Sequence, residues 1–272
     1  MPELPEVETL RRSLLPLVKN KVCQGVKFFR KDLRFPIPQK SLIKGLTNNT
    51  VQDITRQGKY LLFRVSDGSM LMHLGMSGRV TLQSTIEPQE KHTHAIFTFP
   101  GKTYFHFVDP RRFGSISWVP ISGKHPLIDN LGYDPFSEKM NAKNIKILAR
   151  KSRTSIKSFI MNAQKITGVG NIYACESLFH ARIRPHKQSG KITLAQWEKW
   201  IYCLREVLNK SIAKGGTTLK DFFDPIGSKG YFSVSLSVYG KEGKPCPKCS
   251  NPIIRLVQSG RSTFFCKICQ PA

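Results

Sequence analysis

Four cysteines near the C-terminus constrain the fold of this chain most strongly. Cys246 and Cys249 form one Cys-x2-Cys pair, and Cys266 and Cys269 form a second pair after sixteen intervening residues. Two pairs at this spacing supply four thiolates to a tetrahedral zinc ion, and such a site is structural because no position is left for a substrate. Two disulfides are the alternative, which a reducing cytoplasm disfavours. The sequence therefore predicts one structural Zn2+.

A β-hairpin is predicted between the two cysteine pairs. The segments IIRLV and RSTFF have the composition of strands, and the QSG between them is typical of a turn. Arg255 lies on the first strand, and Arg261 stands beside the turn, where it would reach a nucleic acid. Simple solvation of both arginines is the alternative.

The first half of the chain has the pattern of one helix followed by many short strands. Apolar spacing predicts a helix from Glu6 to about Leu15, which Pro16 ends. Strand-like segments follow to about Pro120, namely VKFFR, KYLLFRV, MLMHL, HAIFTF, TYFHF and SISWV. This half is predicted to be an antiparallel sandwich or barrel.

The pattern becomes helical from about residue 131. The clearest helix begins with a capping box of Thr193 and Gln196 and ends at Gly215 or Gly216. The segments IKSFIMNAQ and NIYACESLFHA predict two shorter helices. We therefore expect an α+β multidomain protein, with an N-terminal β-sandwich at 1–130, a helical domain at 131–237 and the cysteine module at 238–272.

The charge balance is strongly positive. The 272 residues include 43 Lys and Arg against 18 Asp and Glu, which gives a net charge of +25. A basic surface of this size attracts polyanions, of which nucleic acid is the favoured one. An anionic membrane surface is the alternative, but the basic residues are not gathered on one amphipathic helix. With no apolar run of ~18 residues and no signal-peptide pattern, we expect a cytoplasmic, nucleoid-associated protein.

Pro2 and Glu3 at the start of MPELPEVET suggest nucleophilic chemistry. Removal of the initiator methionine would give Pro2 a free secondary amine. A chain-terminal amine has a pKa of ~7.7–8.0, so roughly a tenth of it is neutral and nucleophilic at pH 7. Such an amine can attack a sugar C1′ and form a Schiff base, while the adjacent carboxyl moves protons. The alternative is that this stretch only starts a helix.

Three glycine-containing turns are weaker signals. Gly168 and Gly170 precede Asn171, which is predicted to cap a helix whose free N–H groups could bind a phosphate. Met76 in HLGMSG and Phe113 in DPRRFG stand at loop tips, where an apolar wedge between bases would explain them. A plain helix start and ordinary turn packing are the alternatives.

Taken together, these segments resemble formamidopyrimidine-DNA glycosylase, the bacterial base-excision repair enzyme that removes 8-oxoguanine and ring-opened purines. The resemblance spans the whole chain in order. The matching segments are MPELPEVET at 1–9, GKYLLF at 58–63, HLGMSG at 73–78, EKHTHA at 90–95, DPRRFG at 109–114, GVGNIYA at 168–174, GGTTLKDF at 215–222 and the four-cysteine finger.

The resemblance implies a monomeric enzyme with glycosylase and lyase activity on double-stranded DNA that contains oxidised purines or abasic sites. Pro2 would displace the damaged base and hold the sugar as an imine, and Glu3 would act as acid and base. β-Elimination and then δ-elimination would leave phosphates on both sides of the gap. Lys59 would contact the lesion and its phosphate, and Arg261 would clamp a phosphate from the zinc finger.

The resemblance also implies a DNA interface and a helix-two-turn-helix domain within 131–237. Met76, Arg111 and Phe113 would fill the gap after the lesion leaves the duplex, a step required because the stack shields the reacting C1′. The loop at 217–237 would cap the lesion, although its sequence differs from the family pattern around 224–228. The full set of assigned DNA contacts is Glu6, His73, Met76, His92, Arg111, Phe113, Lys157 and Asn171.

Three other activities are alternatives. Endonuclease VIII, which prefers oxidised pyrimidines, has a related N-terminus but a glycine where this chain has Leu4. It also lacks this form of the methionine, arginine and phenylalanine set. A non-catalytic protein that binds damaged DNA would explain the charge and the finger, but not Pro2, Glu3 and Lys59. A zinc-dependent nuclease is excluded because a four-thiolate site has no open coordination position.

Overall fold

A computed structural model describes residues 2–88, 90–215 and 236–272. One compact unit contains the described residues up to Asp129 together with Lys214 and Gly215, and a second contains Asn130–Ala213 together with 236–272. Most of the predicted lesion-capping loop at 217–237 lies outside the described residues. Within the described ranges, no helix has the length and apolar character needed to cross a membrane. The predicted domain boundaries stay predictions.

The first unit is an antiparallel β-sandwich, as predicted, and it carries a second helix besides the predicted N-terminal one. One four-stranded sheet has the order β10-β6-β5-β4, the other has the order β2-β8-β9-β7, and β1 pairs with β3. Apolar side chains from both sheets and from the first helix form one core. The elements are α1 (Leu4–Val18), β1 (Lys21–Val22), β2 (Gly25–Phe28), α2 (Gln39–Leu46), β3 (Thr50–Val51), β4 (Asp53–Gln57), β5 (Tyr60–Val65), β6 (Gly68–His73), β7 (Arg79–Gln83), β8 (Thr93–Phe99), β9 (Thr103–Val108) and β10 (Ser115–Pro120).

Helix α1 is longer than predicted at both ends. The prediction that Pro16 ends the helix was wrong, because Pro16 lies inside the last turn. Its ring faces solvent, while Leu14 and Val18 on the opposite face are fully buried in the sandwich core. Burial of these two side chains offsets the loss of one backbone hydrogen bond near the helix end.

The six predicted strand segments correspond to β2, β5, β6, β8, β9 and β10. The prediction missed helix α2 and the strands β1, β3, β4 and β7. Helix α2 has eight residues and buries only Leu42, Gly45 and Leu46. Such a short segment carries too few apolar repeats to be told from a loop by periodicity.

The second unit combines four helices with the C-terminal hairpin. Its elements are α3 (Ala142–Ala149), α4 (Ile156–Ile160), α5 (Asn171–Ala181), α6 (Leu194–Ala213), β11 (Ile254–Gln258) and β12 (Arg261–Phe265). The predicted capping box of α6 is confirmed, since Thr193 and Gln196 exchange hydrogen bonds of 3.1 and 3.2 Å. Trp197 and Trp200 of this helix are fully buried.

The start of α5 differs from the prediction by one residue. Gly170, and not Asn171, is the N-cap, so Asn171 is the first helical residue and its side chain is free to bond elsewhere. The hairpin of β11 and β12 does not stand apart from the helices. Phe179 of α5 shares a small apolar core with Ile253, Phe264 and Cys266 of the cysteine module.

Candidate active site and DNA interface

The N-terminus is held in place by the cap of helix α1. Glu3 is the N-cap residue, and its backbone N–H donates a 2.8 Å hydrogen bond to a carboxylate oxygen of Glu6. Both side chains are almost completely buried, at 3% and 1% exposure. The backbone beside Pro2 is therefore fixed by Glu6, whose assigned contact with DNA stays a prediction.

Glu8 and Arg56 connect helix α1 to the turn that carries Lys59. Glu8 accepts hydrogen bonds from Arg11, Arg12 and Arg56 at 2.9–3.2 Å. Burial alone would raise the pKa of Glu8, but the hydrogen bonds from Arg11 and Arg12 and the charge of Arg56 lower it. Arg56 also donates a 2.8 Å bond to the carbonyl oxygen of Gly58, the residue before Lys59. The sequence pattern gave no sign of this connection.

His73 lies beside the Lys59 turn. Tyr60 pairs with His73 between β5 and β6, and the two rings are 4.6 Å apart. Burial and the positive charges of Lys59 and Arg34 lower the pKa of His73 to about 4. The imidazole is therefore neutral at pH 7. Its Nδ1 accepts the backbone N–H of Gly75 at 3.1 Å, which leaves Nε2 as the protonated donor.

Two neighbouring turns present Met76 and Phe113 to solvent. Met76 follows β6 and is 39% exposed, and Phe113 precedes β10 and is 42% exposed. The Arg111 guanidinium stacks over the Phe113 ring, 4.8 Å from its centroid. The structure therefore brings together the three residues predicted to fill the gap left by a flipped nucleotide.

Asp109 joins these two turns. It is fully buried, and one carboxylate oxygen accepts the Ser77 hydroxyl at 2.7 Å while the other accepts the Gly114 N–H at 2.7 Å. The turns also touch directly, because a side chain on Gly75, at φ +66°, would come within 2.3 Å of the Phe113 backbone. The sequence of the DPRRFG segment draws attention to Phe113 and gives no sign of the role of Asp109.

His92, just before β8, and His94, on β8, support the same turn. The Asp109 N–H donates to the carbonyl oxygen of His92 at 3.1 Å, and the His94 Nε2 bonds the Asp109 carbonyl oxygen at 2.9 Å. Burial lowers the pKa of His94, so this ring is the neutral donor. The His92 side chain is half-buried, and its predicted contact with DNA stays a prediction.

In the second unit, three predicted site residues meet around Ser262 on β12. The Asn171 side chain donates to the Ser262 carbonyl oxygen at 2.9 Å, and Arg261 is the exposed neighbour of Ser262. The Lys157 Nζ donates to the same carbonyl at 3.2 Å and to the Thr263 hydroxyl at 2.6 Å. Lys157 is only 1% exposed, so in this structure it joins α4 to the hairpin, and its contact with DNA stays a prediction.

Glu176 on α5 holds the first described residues after position 235. Its carboxylate accepts backbone N–H bonds from Ser237, Val238 and Tyr239 at 2.7, 2.9 and 2.8 Å. The side chain is 2% exposed, so these three bonds satisfy a buried charge. This anchor also escaped the sequence analysis, because its partners are about sixty residues away.

The four cysteines have the geometry of a zinc site. All four sulfur atoms lie within 4.8 Å of one another, and none forms a disulfide. The Cys249–Cys266 and Cys246–Cys269 sulfur distances are 3.4 and 3.8 Å. Zn–S bonds of ~2.3 Å in a tetrahedron would place sulfurs about 3.8 Å apart. Backbone N–H groups of Lys248 and Cys269 point at two of these sulfurs, as outer bonds to a thiolate centre do.

Three family models together match most of the chain. Residues 1–116 match the formamidopyrimidine-DNA glycosylase N-terminal domain, residues 131–223 match its H2TH domain, and residues 243–272 match a zinc finger found in FPG and IleRS. The zinc-finger match and the cysteine geometry together identify one structural Zn2+ site.

Curated relatives and solved structures agree with these domain matches. A formamidopyrimidine-DNA glycosylase from Magnetococcus marinus is 41% identical, with both chains covered completely. The crystal structure of the MutM (Fpg) protein from Thermus thermophilus is 36% identical with a TM-score of 0.87, covering 99% of this chain and 98% of that one. A structure of MutM in complex with DNA containing carbocyclic 8-oxo-G is 31% identical with a TM-score of 0.89, with both chains covered completely. This chain is therefore a member of the formamidopyrimidine-DNA glycosylase family.

Proposed function

We propose that this protein is a DNA glycosylase and abasic-site lyase that removes oxidised purines, 8-oxoguanine and formamidopyrimidines, from double-stranded DNA. The observation that supports this proposal most strongly is the structure of the N-terminus. There, Pro2 lies directly before a capped helix and next to the buried carboxyl of Glu3. This arrangement occurs in a chain whose solved relatives include one bound to 8-oxo-G DNA. Binding alone would require neither residue.

Pro2 is the nucleophile once Met1 is removed. Its neutral amine attacks C1′ of the damaged nucleotide, the glycosidic bond breaks, and its electron pair leaves with the base. The Pro2 nitrogen then gives up its proton to the departing base, and Glu3 delivers a proton to the sugar ring oxygen, so the nitrogen lone pair opens the ring and forms a positively charged imine. The cap formed with Glu6 restricts the backbone at this point, which favours one direction of attack.

Strand cleavage follows from the same imine. The positive nitrogen acidifies the C2′ hydrogens, so a base removes one and the 3′ phosphate leaves by β-elimination. A second elimination expels the 5′ phosphate, and hydrolysis of the imine regenerates the amine. Glu3 serves as the proton carrier in these steps because its carboxylate can accept and return a proton.

Lys59 and His73 supply positive charge and a hydrogen-bond donor to the damaged nucleotide. Lys59 is held on a turn that Arg56 fixes through Gly58. His73 is neutral and has its Nδ1 already bonded to Gly75, so its Nε2–H is directed to an acceptor such as a phosphate oxygen. A neutral donor keeps the same hydrogen bond over the whole range in which the Pro2 amine is active.

The remaining assigned residues bind and deform the duplex. Met76, Phe113 and Arg111 occupy the space left by the extruded nucleotide, because two exposed apolar side chains and a guanidinium can stack against unpaired bases. Asn171 and Arg261 hold phosphates from the second unit, where the Ser262 carbonyl orients the Asn171 amide.

A borohydride trap tests the proposed chemistry. The protein is mixed with a duplex that carries one 8-oxoguanine opposite cytosine, the imine is reduced, and the cross-linked peptide is sequenced. We expect a covalent adduct at Pro2. The control is a variant with one residue added before Pro2, which should bind the duplex without forming an adduct.

Each other outcome has a distinct meaning. An adduct at a lysine would overturn the assignment of Pro2. Tight binding without any adduct would favour a non-catalytic damage-binding protein. An adduct formed only with a duplex containing an oxidised pyrimidine would favour an activity of the endonuclease VIII type.

A further inference from the structure

Two large apolar side chains of helix α3 face solvent. Ile147 is 72% exposed and Leu148 is 41% exposed. The residues that α3 buries are Ala142, Ile145 and Ala149, which recur at helical spacing and form the face that packs toward α6. Ile147 and Leu148 are therefore not part of the core of the second unit.

A third exposed apolar side chain belongs to a segment that runs beside α3. Leu194, the first residue of α6, is 39% exposed. The residues before it lie along the end of α3, because a side chain at Gly190 would come within 3.2 Å of the Ala149 carbonyl oxygen. The Lys146 Nζ also donates a 2.7 Å bond to the carbonyl oxygen of Ile192, two residues before Leu194. We call the three exposed side chains together the apolar face, which consists of Ile147, Leu148 and Leu194.

Exposed cations flank the apolar face on the same two segments. They are Lys143, Arg150 and Lys191. Within the part of the chain that the structure describes, none of the three forms an ion pair. Between Glu138 and Glu198, both of which are exposed, the only acidic residue is the buried Glu176. The surroundings of the apolar face are therefore mainly positive.

This combination of side chains favours a partner that is both acidic and apolar. Positive charge alone would suit DNA, but a phosphate backbone gains nothing from exposed isoleucine and leucine side chains. A second copy of this chain, docked face to face, would bring the same cations against each other, and like charges repel. An acidic peptide with large apolar residues would cover the apolar side chains and pair its carboxylates with the flanking cations.

We propose that the apolar face is a docking site for an acidic, amphipathic peptide segment of another protein. Apolar side chains of that segment pack on Ile147 and Leu194, and its carboxylates meet Lys143 and Lys191. Burial of apolar surface supplies most of the affinity, while the charges set the orientation and speed the encounter. The proposal does not depend on the proposed function, because none of these residues has an assigned role in base excision.

A peptide selection tests this chemistry. Random twelve-residue peptides are displayed and selected against the full-length wild-type protein at low salt, and the enriched peptides are synthesised with a fluorescent label. Their Kd is then measured for the wild type and for a face variant, Ile147→Ser with Leu194→Ser. The control variant is Ile121→Ser with Val22→Ser, which removes two apolar side chains of similar exposure, 80% and 39%, from the first unit.

We expect the enriched peptides to contain both acidic and large apolar residues. The face variant should raise their Kd about tenfold or more, because two apolar contacts are lost. A charge variant, Lys143→Gln with Lys191→Gln, should raise the Kd by a smaller factor and should make it less dependent on salt. The control variant should bind the peptides as the wild type does.

Several results would overturn the proposal. They are a selection that enriches no peptide, enriched peptides that lack acidic or large apolar residues, and a Kd that the face variant leaves unchanged. Binding to an abasic duplex or to anionic lipid vesicles is measured in parallel, and a loss of either in the face variant would assign the apolar face to DNA or to a membrane instead. Zinc content and Tm show whether the face variant is folded. If it is not, Ile147→Ser alone, at a side chain that is 72% exposed, must show the same rise in Kd.

Discussion

Replacing Asp109 should loosen the two turns that present Met76 and Phe113. The Asp109 carboxylate is fully buried and accepts one bond from the Ser77 hydroxyl and one from the Gly114 N–H, both at 2.7 Å. Asp109→Asn retains one oxygen for Gly114 but directs an NH2 group at the Ser77 hydroxyl. That hydroxyl already accepts the Arg111 N–H at 3.2 Å, and its own hydrogen loses its acceptor.

The expected loss of folding stability follows from the hydrogen bonds that each substitution of Asp109 removes. Hydrogen bonds to an ionised acceptor contribute about 1.5–3 kcal/mol each, so Asp109→Asn should lower the free energy of unfolding by about 2 kcal/mol. Asp109→Ala removes both bonds and leaves a buried N–H unpaired, which should cost about 3–5 kcal/mol. The matched control is Asp129→Asn, an exposed carboxylate that accepts one 2.9 Å bond from the His125 N–H. Its cost should stay below about 0.5 kcal/mol.

Urea unfolding measures these values, and a double-mutant cycle with Ser77→Ala measures the coupling. We expect a coupling of about 1–2 kcal/mol between Ser77 and Asp109. Misplaced gap-filling side chains should also weaken binding to an abasic duplex about tenfold, or about 1.4 kcal/mol, with less effect on undamaged DNA. Additive free energies together with an unchanged ratio of the two affinities would refute the role assigned to Asp109.

Three other predictions concern the nucleophile's neighbour, the metal and His73. Glu3→Gln should retain lesion binding and lose base excision, because the carboxyl transfers protons; wild-type excision rates in single-turnover assays would contradict this. Removing zinc with a chelator should lower Tm and abolish duplex binding, since four thiolates hold the hairpin, and added Zn2+ should restore both; binding that survives verified metal loss would exclude a structural role. His73 has a folded pKa of about 4 because it is buried, against ~6.5 in an unfolded chain, so the unfolded state gains a proton first as pH falls. Stability should therefore decline from about pH 6.5 to about pH 4, and the difference between wild type and His73→Gln in urea titrations should follow that decline; a difference that does not vary with pH would refute it.

The features predicted from sequence are those encoded by local spacing. The cysteine pairs, the hairpin between them and the cap of α6 each depend on residues a few positions apart. Local patterns also produced the two errors at helix ends. Pro16 was expected to end α1, but the helix continues to Val18 because burial of the Val18 side chain stabilises the last turn. Asn171 is a good capping residue by type, yet the extended backbone at Gly170 takes that position.

The features that escaped prediction are contacts between distant parts of the chain. Asp109 bonds Ser77 at a separation of 32 residues, Arg56 bonds Glu8 at 48, and Glu176 bonds Ser237 at 61. A carboxylate that accepts such bonds has the same local sequence as one that is solvated. Which acidic side chains become buried depends on contacts that form only when distant segments come together in the fold. No short sequence pattern around an acidic residue therefore shows whether it will be buried.

The buried acids explain how a strongly basic chain can keep the turns proposed to face DNA in fixed positions. Among the described residues, five acidic side chains are buried, namely Glu3, Glu6, Glu8, Asp109 and Glu176. They lie in the first turns of α1, in the turn before β10 and in α5, which are the elements that carry the proposed nucleophile, a gap-filling side chain and a phosphate clamp. Several of their carboxylate oxygens accept hydrogen bonds from backbone N–H groups or from arginine side chains. These buried carboxylates therefore fix the positions of the turns and helix ends that they bond. The cations then dominate the surface, and a polyanion meets little repulsion from the carboxylates that position the site.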